Sequence, residues 1–142
     1  MKKILLSKII EGLEDVNNYS SVYYDLTKDE IYNDEMFTYL DKQDEDYEDD
    51  EIYDLPSCYE INEYSMMEEF IDNIEDDKHR EMLFRLIQGK GAFRRFKDYC
   101  IDYGFINDWY KFRDVKFKEI AINWCKDHEF EYIDDTVKTD NN

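Results

Sequence analysis

A single proline and four glycines punctuate 142 residues, so the chain has few built-in breaks and few places suited to left-handed backbone. No apolar run approaches the roughly 20 residues that a membrane-spanning helix needs. Met1-Lys2-Lys3 followed by Ile4-Leu5-Leu6 begins like a secretory leader, but the apolar run stops at Ser7 and Lys8. No leader is expected, and a cytoplasmic location is. Cys58, Cys100 and Cys125 are an odd number without C-x-x-C spacing, which excludes a disulfide framework and a zinc site. G-x-S-x-G, H-E-x-x-H, Walker A and dinucleotide-binding patterns are all missing. The sequence therefore nominates no catalytic residue, cofactor or metal.

Aromatic residues are abundant, at 17% with thirteen Tyr and nine Phe. Tyrosine buries a ring while keeping a polar tip wet, so such a chain can build both a core and an interface. Charge is abundant too, and uneven. Residues 1–77 carry 25 acidic and 5 basic side chains, net −20, whereas 78–142 carry 12 and 13, net +1. Within 78–97 the balance is seven basic to one acidic. The total of −19 disfavours nucleic acid and anionic membrane as direct ligands. It favours a protein partner that meets the acidic N-terminal half.

Periodicity predicts a helix over 8–16 capped by Ser7, with Leu6, Ile9, Ile10, Leu13 and Val16 inward. Ser20–Leu26 and Glu30–Tyr32 read as strands of a β-hairpin turning at Thr27-Lys28-Asp29. A short helix is expected over 35–42, followed by an acidic run over 41–54. That run is not a calcium loop: counted from Asp44, the sixth position is Asp49 rather than glycine, and the twelfth is Leu55 rather than glutamate. Its reading is a solvated acidic segment, a docking surface or a mimic of a phosphate backbone. Ile52–Leu55 reads as extended up to Pro56, and Ser57 opens a helix over 58–75 with Tyr64, Met67, Phe70, Ile71 and Ile74 inward.

Three more helices follow. One over 78–88 turns Met82, Leu83, Leu86 and Ile87 inward, with His79 as a partly buried, satisfied histidine. One over 92–103 stacks Ala92, Phe93, Phe96, Tyr99, Cys100 and Tyr103 on one face. One over 107–127 aligns Trp109, Tyr110, Phe117, Ile120, Ala121 and Trp124, with Phe112, Val115 and Ile122 opposite. Apolar side chains on two sides of that helix are compatible with a homodimer. The organisation expected is one domain over 1–133, made of an acidic helix/hairpin half (1–54) and a helical half (55–133), with a disordered tail over 134–142.

The candidate site residues are Lys90, Arg94, Arg95, Lys97, Arg113, Glu60 and Glu63, with Trp109 and Tyr110 as an aromatic frame. Gly89-Lys90-Gly91 before a helix, flanked by Arg94, Arg95 and Lys97, suits an anion, because a helix N-terminus offers free N–H groups. Arg113 falls in the middle of an apolar face and must be paired. Either it forms a structural ion pair with Glu60 or Glu63, or it sits in an anion pocket framed by Trp109 and Tyr110. Glu60 and Glu63 are an acid/base pair by composition alone, and more naturally partners for Arg94, Arg95 or Arg113.

Several stretches resemble the bacterial Uncharacterised Protein Family 0158. They are Leu55-Pro56-Ser57, Tyr59–Tyr64 with Met67–Ile71, Gly89–Asp98 (GKGAFRRFKD), Trp109–Arg113 (WYKFR) and Ile120–Cys125. The resemblance implies a shared fold and no particular reaction. The chain departs from the family pattern at Thr27-Lys28-Asp29, where a glycine-containing turn is expected. The fold class expected is α+β and mainly α: an N-terminal helix and small hairpin, then a compact bundle of about four helices. The function expected is a non-enzymatic protein-binding or regulatory module. The alternatives are an anion- or phosphate-ligand protein or enzyme using Lys90, Arg94, Arg95 and Arg113, and an acidic mimic that inhibits a nucleic-acid-binding protein.

Overall fold

The computed structural model describes residues 3–17, 21–33 and 51–136. The helix expected at 35–42 and the acidic run as far as residue 50 lie outside these residues. The fold is α+β and mainly helical. Its contacts divide the chain into two compact units: residues 1–61 with 117–142, and residues 62–116.

The first unit holds β1 (Ile4–Leu5), α1 (Leu6–Asp15), β2 (Val22–Asp25), β3 (Glu30–Asn33), β4 (Ile52–Asp54), α2 (Cys58–Ile61) and β5 (Tyr132–Ile133). The hairpin forms as the alternation of β-formers predicts, with Tyr23 opposite Tyr32 and Tyr24 opposite Ile31. Its turn needs no glycine. Asp29 takes the left-handed backbone (φ 54°), and its carboxylate accepts a 2.7 Å hydrogen bond from the Tyr24 hydroxyl. Asp25 accepts from the Lys28 N–H at 3.0 Å. Short polar side chains tolerate this conformation by bonding locally.

The hairpin is extended by β4, which pairs antiparallel with the other edge of β2, so the strand order is β3-β2-β4. Leu6, Ile9 and Leu13 of α1 are buried, and α1 packs on β2 and β3. Gly12 permits this close approach: a Cβ there would lie 2.5 Å from Leu55 Cδ1 and 2.9 Å from Ile31 Cδ1.

Ser7 does not cap α1. The N-cap residue is Leu5, without a side-chain cap, and Ser7 lies inside the first turn. The cap arrives from the far end of the chain, where Asp135 accepts from the Ser7 N–H at 2.9 Å and from its hydroxyl. The neighbouring β1 and β5 pair in parallel, Ile4 with Tyr132. Asp134 pairs with Lys118, so residues 134–136 are held rather than frayed.

The second unit holds α3 (Glu63–Asp72), α4 (Asp77–Leu86), α5 (Ala92–Tyr103) and the first half of α6 (Ile106–Asp127). The single helix expected over 58–75 is two helices, α2 and α3. Asn62 breaks it by taking left-handed backbone (φ 50°), and its side chain caps α3 by accepting from the Ser65 N–H at 3.2 Å. Asp76 caps α4 through the N–H groups of Lys78 and His79. These bonds, that to His79 first, hold its carboxyl below the usual carboxylate range.

The core of this unit is a ring cluster in which Phe70 of α3, Phe96 of α5 and Trp109 of α6 meet edge to face with centroids 4.9–6.0 Å apart. Of the residues expected inward, Met82, Phe93, Tyr103 and Tyr110 are instead exposed. Tyr103 nonetheless keeps a ring contact with His79 of α4, at 5.0 Å.

Candidate functional site

The basic stretch divides by task. Gly89 and Gly91 both have left-handed backbone (φ 78° and 80°), which ends α4 and starts α5. A C-terminal helix end leaves carbonyls without intrahelical partners. Arg95 collects them: its guanidinium donates to the carbonyls of Leu86 at 2.7 Å, Gln88 at 2.7 Å and Lys90 at 2.5 Å. A cation at a helix C-terminus also meets the negative end of the dipole. Arg95 is therefore a clamp on the α4–α5 connection, not a free anion ligand. Lys90, Arg94 and Lys97 are exposed, and no carboxylate among the described residues pairs with them.

Arg113 is taken up in the same way. Its guanidinium reaches Glu63 through both carboxylate oxygens, at 3.2 and 3.4 Å, with the side chains 20% and 35% exposed. The aromatic frame does not close around it. Trp109 is fully buried against Phe70 and Phe96, while Tyr110 is 46% exposed.

Glu60 and Glu63 stand in different helices, α2 and α3, on either side of Asn62, and each has its own partner. Glu60 forms a capping box: its carboxylate accepts from the Ser57 N–H at 2.9 Å, and the Ser57 hydroxyl accepts from the Glu60 N–H at 3.2 Å. His79 is half-buried, with Nδ1 2.6 Å from the Tyr99 hydroxyl and rings of Tyr103 and Phe105 around it. Burial pushes the Tyr99 hydroxyl above its ordinary pKa.

A cleft that the periodicity did not indicate lies in the first unit, where the C-terminal end of α6 meets the β4–α2 connection. Its volume is about 380 Å³, and its lining includes Asp54, Glu60, Ile120, Trp124, Asp127 and His128. The Trp124 indole N–H donates to the Asp54 carbonyl at 2.9 Å, which fixes the floor. His128 Nδ1 donates to the Trp124 carbonyl at 2.9 Å, which leaves Nε2 as the free ring nitrogen. The two rings lie 4.6 Å apart.

Among the described residues no Lys or Arg lines this cleft. The carboxylates of Asp54 and Asp127 have no hydrogen-bond or ion-pair partner among the described residues. Asp127 also stands in the last turn of α6, where the helix dipole opposes a negative charge. That misplaced charge was legible in the sequence. The approach of Asp54 and Glu60 to it, across more than sixty positions of chain, was not. Among the described residues no three His, Cys, Asp or Glu side chains converge as a metal site.

With this geometry in place, the comparisons place the chain in a family. The uncharacterised protein family UPF0158 matches residues 8–139, so the chain belongs to it. Comparison with curated proteins and with solved structures returns no match. Among the described residues, no helix is long and apolar enough to cross a membrane.

Proposed function

We propose that this protein is a non-catalytic binding module that takes a cationic side chain, an arginine or lysine presented by a basic partner protein, in the cleft at the C-terminal end of α6. The observation that carries this reading is a cleft with three carboxylates, an indole and an imidazole on its lining and, among the described residues, no Lys or Arg. A guanidinium or ammonium placed there would gain carboxylate hydrogen bonds and the face of an aromatic ring. A volume of about 380 Å³ suits one long side chain rather than a large cofactor. The unit that bears the cleft carries 25 acidic and 8 basic residues, net −17, which would steer a basic partner toward it.

The test is fluorescence anisotropy of the full chain with a labelled peptide of alternating arginine and leucine, and its glutamate counterpart as control. The arginine peptide should bind saturably and weaken on raising salt. Asp54→Asn with Asp127→Asn should lower its affinity about tenfold, on the scale of losing charge-assisted contacts. Affinity unchanged in that double variant, or no saturable binding, would refute the proposal.

A further inference from the structure

We infer that the exposed face of α5 is a docking surface for an acidic protein segment that also carries apolar side chains. This surface is separate from the cleft and belongs to the other unit. On a helix, residues three and four apart are neighbours, so Phe93, Arg94, Lys97 and Ile101 share one side of α5. Phe93 is 38% exposed and Ile101 61%. Lys90 is exposed in the connection just before the helix. From Phe93 to Ile101 the stripe runs about 12 Å at 1.5 Å per residue, enough to oppose about two turns of a partner helix.

Two contrasts within the same sequence stretch give the stripe its meaning. Arg95, one residue from Arg94, has its donors engaged by backbone carbonyls. Arg113 is engaged by Glu63. Arg94, Lys97 and Lys90 have neither kind of partner among the described residues. Asp98, one turn from Arg94, borders the stripe and forms no ion pair with it. Charge complementarity therefore calls for carboxylates. The interleaved Phe93 and Ile101 call for apolar side chains between them, since aromatic residues and arginine are the side chains enriched in protein interfaces.

A nucleic acid fits less well. The aliphatic Ile101 offers no stacking surface to a base, and a total charge of −19 repels an extended polyanion. A short acidic segment meets chiefly the second unit, with 12 acidic and 10 basic residues, net −2.

The experiment is fluorescence anisotropy of the full chain at low salt with three labelled probes of equal charge. They are a twelve-residue peptide of glutamates interleaved with leucine and phenylalanine, an all-glutamate peptide, and single-stranded oligothymidylate. The mixed peptide should bind most tightly. Arg94→Glu with Lys97→Glu should weaken it at least about tenfold, and Phe93→Ser with Ile101→Ser about threefold or more. Lys78→Glu, and the cleft variant Asp54→Asn with Asp127→Asn, should leave it unchanged. Circular dichroism melting checks the fold of each variant; should the double glutamate variant unfold, Arg94→Gln with Lys97→Gln is read in its place. The inference is overturned by the absence of saturable binding, by equal losses in the Lys78→Glu control, or by oligothymidylate binding more tightly than the mixed peptide.

Discussion

Asp135 holds Ser7 across 128 positions of sequence, its carboxylate accepting from both the Ser7 N–H and the Ser7 hydroxyl. The start of α1 is thus capped by the end of the described chain. The β1–β5 pair beside it makes the same connection through the backbone. Asp135→Asn should lower stability by about 0.5–1 kcal/mol in urea denaturation, the lower range for a helix cap because solvent screens the carboxylate.

The same pair sets an acid limit. Hydrogen bonds from Ser7 hold the Asp135 carboxyl below its ordinary pKa, and the bonds from Lys118 and Thr136 do so for Asp134. A carboxyl whose pKa is depressed on folding contributes stability above its unfolded pKa, about 3.9, and loses it as pH falls through the folded value. Thermal stability should therefore decline below about pH 4. The gap between the native chain and Asp135→Asn should narrow there; a gap constant down to pH 2 would count against the linkage.

Arg95 and Arg94 are sequence neighbours with opposite expected behaviour. Arg95→Ala leaves the carbonyls of Leu86, Gln88 and Lys90 without their donor, and should cost about 1–3 kcal/mol in a chemical melt. Arg94→Ala removes an exposed side chain without a partner among the described residues, and should change stability by less than about 0.5 kcal/mol. Equal effects would show that the α4–α5 connection is not held by the Arg95 guanidinium.

Arg113 and Glu63 should be energetically coupled. Arg113→Ala leaves a half-buried carboxylate without its cation, and removes an alkyl stem from the α6 surface. A cost of about 1–2 kcal/mol is expected, with a coupling energy to Glu63→Gln of about 0.5–1 kcal/mol in a double-mutant cycle. Strictly additive effects would mean that the bidentate geometry contributes nothing to the pair.

The thiols offer a chemical check on packing. Burial pushes Cys100 up to about 12 and Cys125 up to about 11. Both are fully buried, so iodoacetamide at pH 8 should leave them unmodified in the native chain and alkylate them in urea, as read by mass spectrometry. Native-state alkylation of either would show that the surrounding helices open readily.

Much of the helical plan was legible from spacing. The bounds of α5 and its start after Gly89-Lys90-Gly91 follow from local rules that act within a few residues. The hairpin was legible for the same reason. Three features were not. The split at Asn62 depends on one residue accepting left-handed backbone, and periodicity passes through it because Tyr59, Glu60 and Ile61 continue a helical pattern. Ile52–Leu55 reads as extended, but neither its pairing with β2 nor that of β1 with β5 was legible, because what selects them is a partner edge distant in the chain. The exposure of Phe93, Tyr103 and Tyr110 depends on which neighbouring helix comes near, which a helical wheel cannot show.

By itself, then, the sequence determined the class of the fold, the positions of most helices, the uneven charge and the need of Arg113 for a carboxylate. These follow from propensity, capping and the cost of leaving a charge unpaired beside apolar side chains, and all act locally. Tertiary structure alone decided which carboxylate Arg113 takes, that Arg95 is spent on a helix end while Arg94 and Lys97 are not, and that Asp54, Glu60 and Asp127 line one cleft. Those outcomes depend on distances between residues far apart in the chain, and only packing sets such distances.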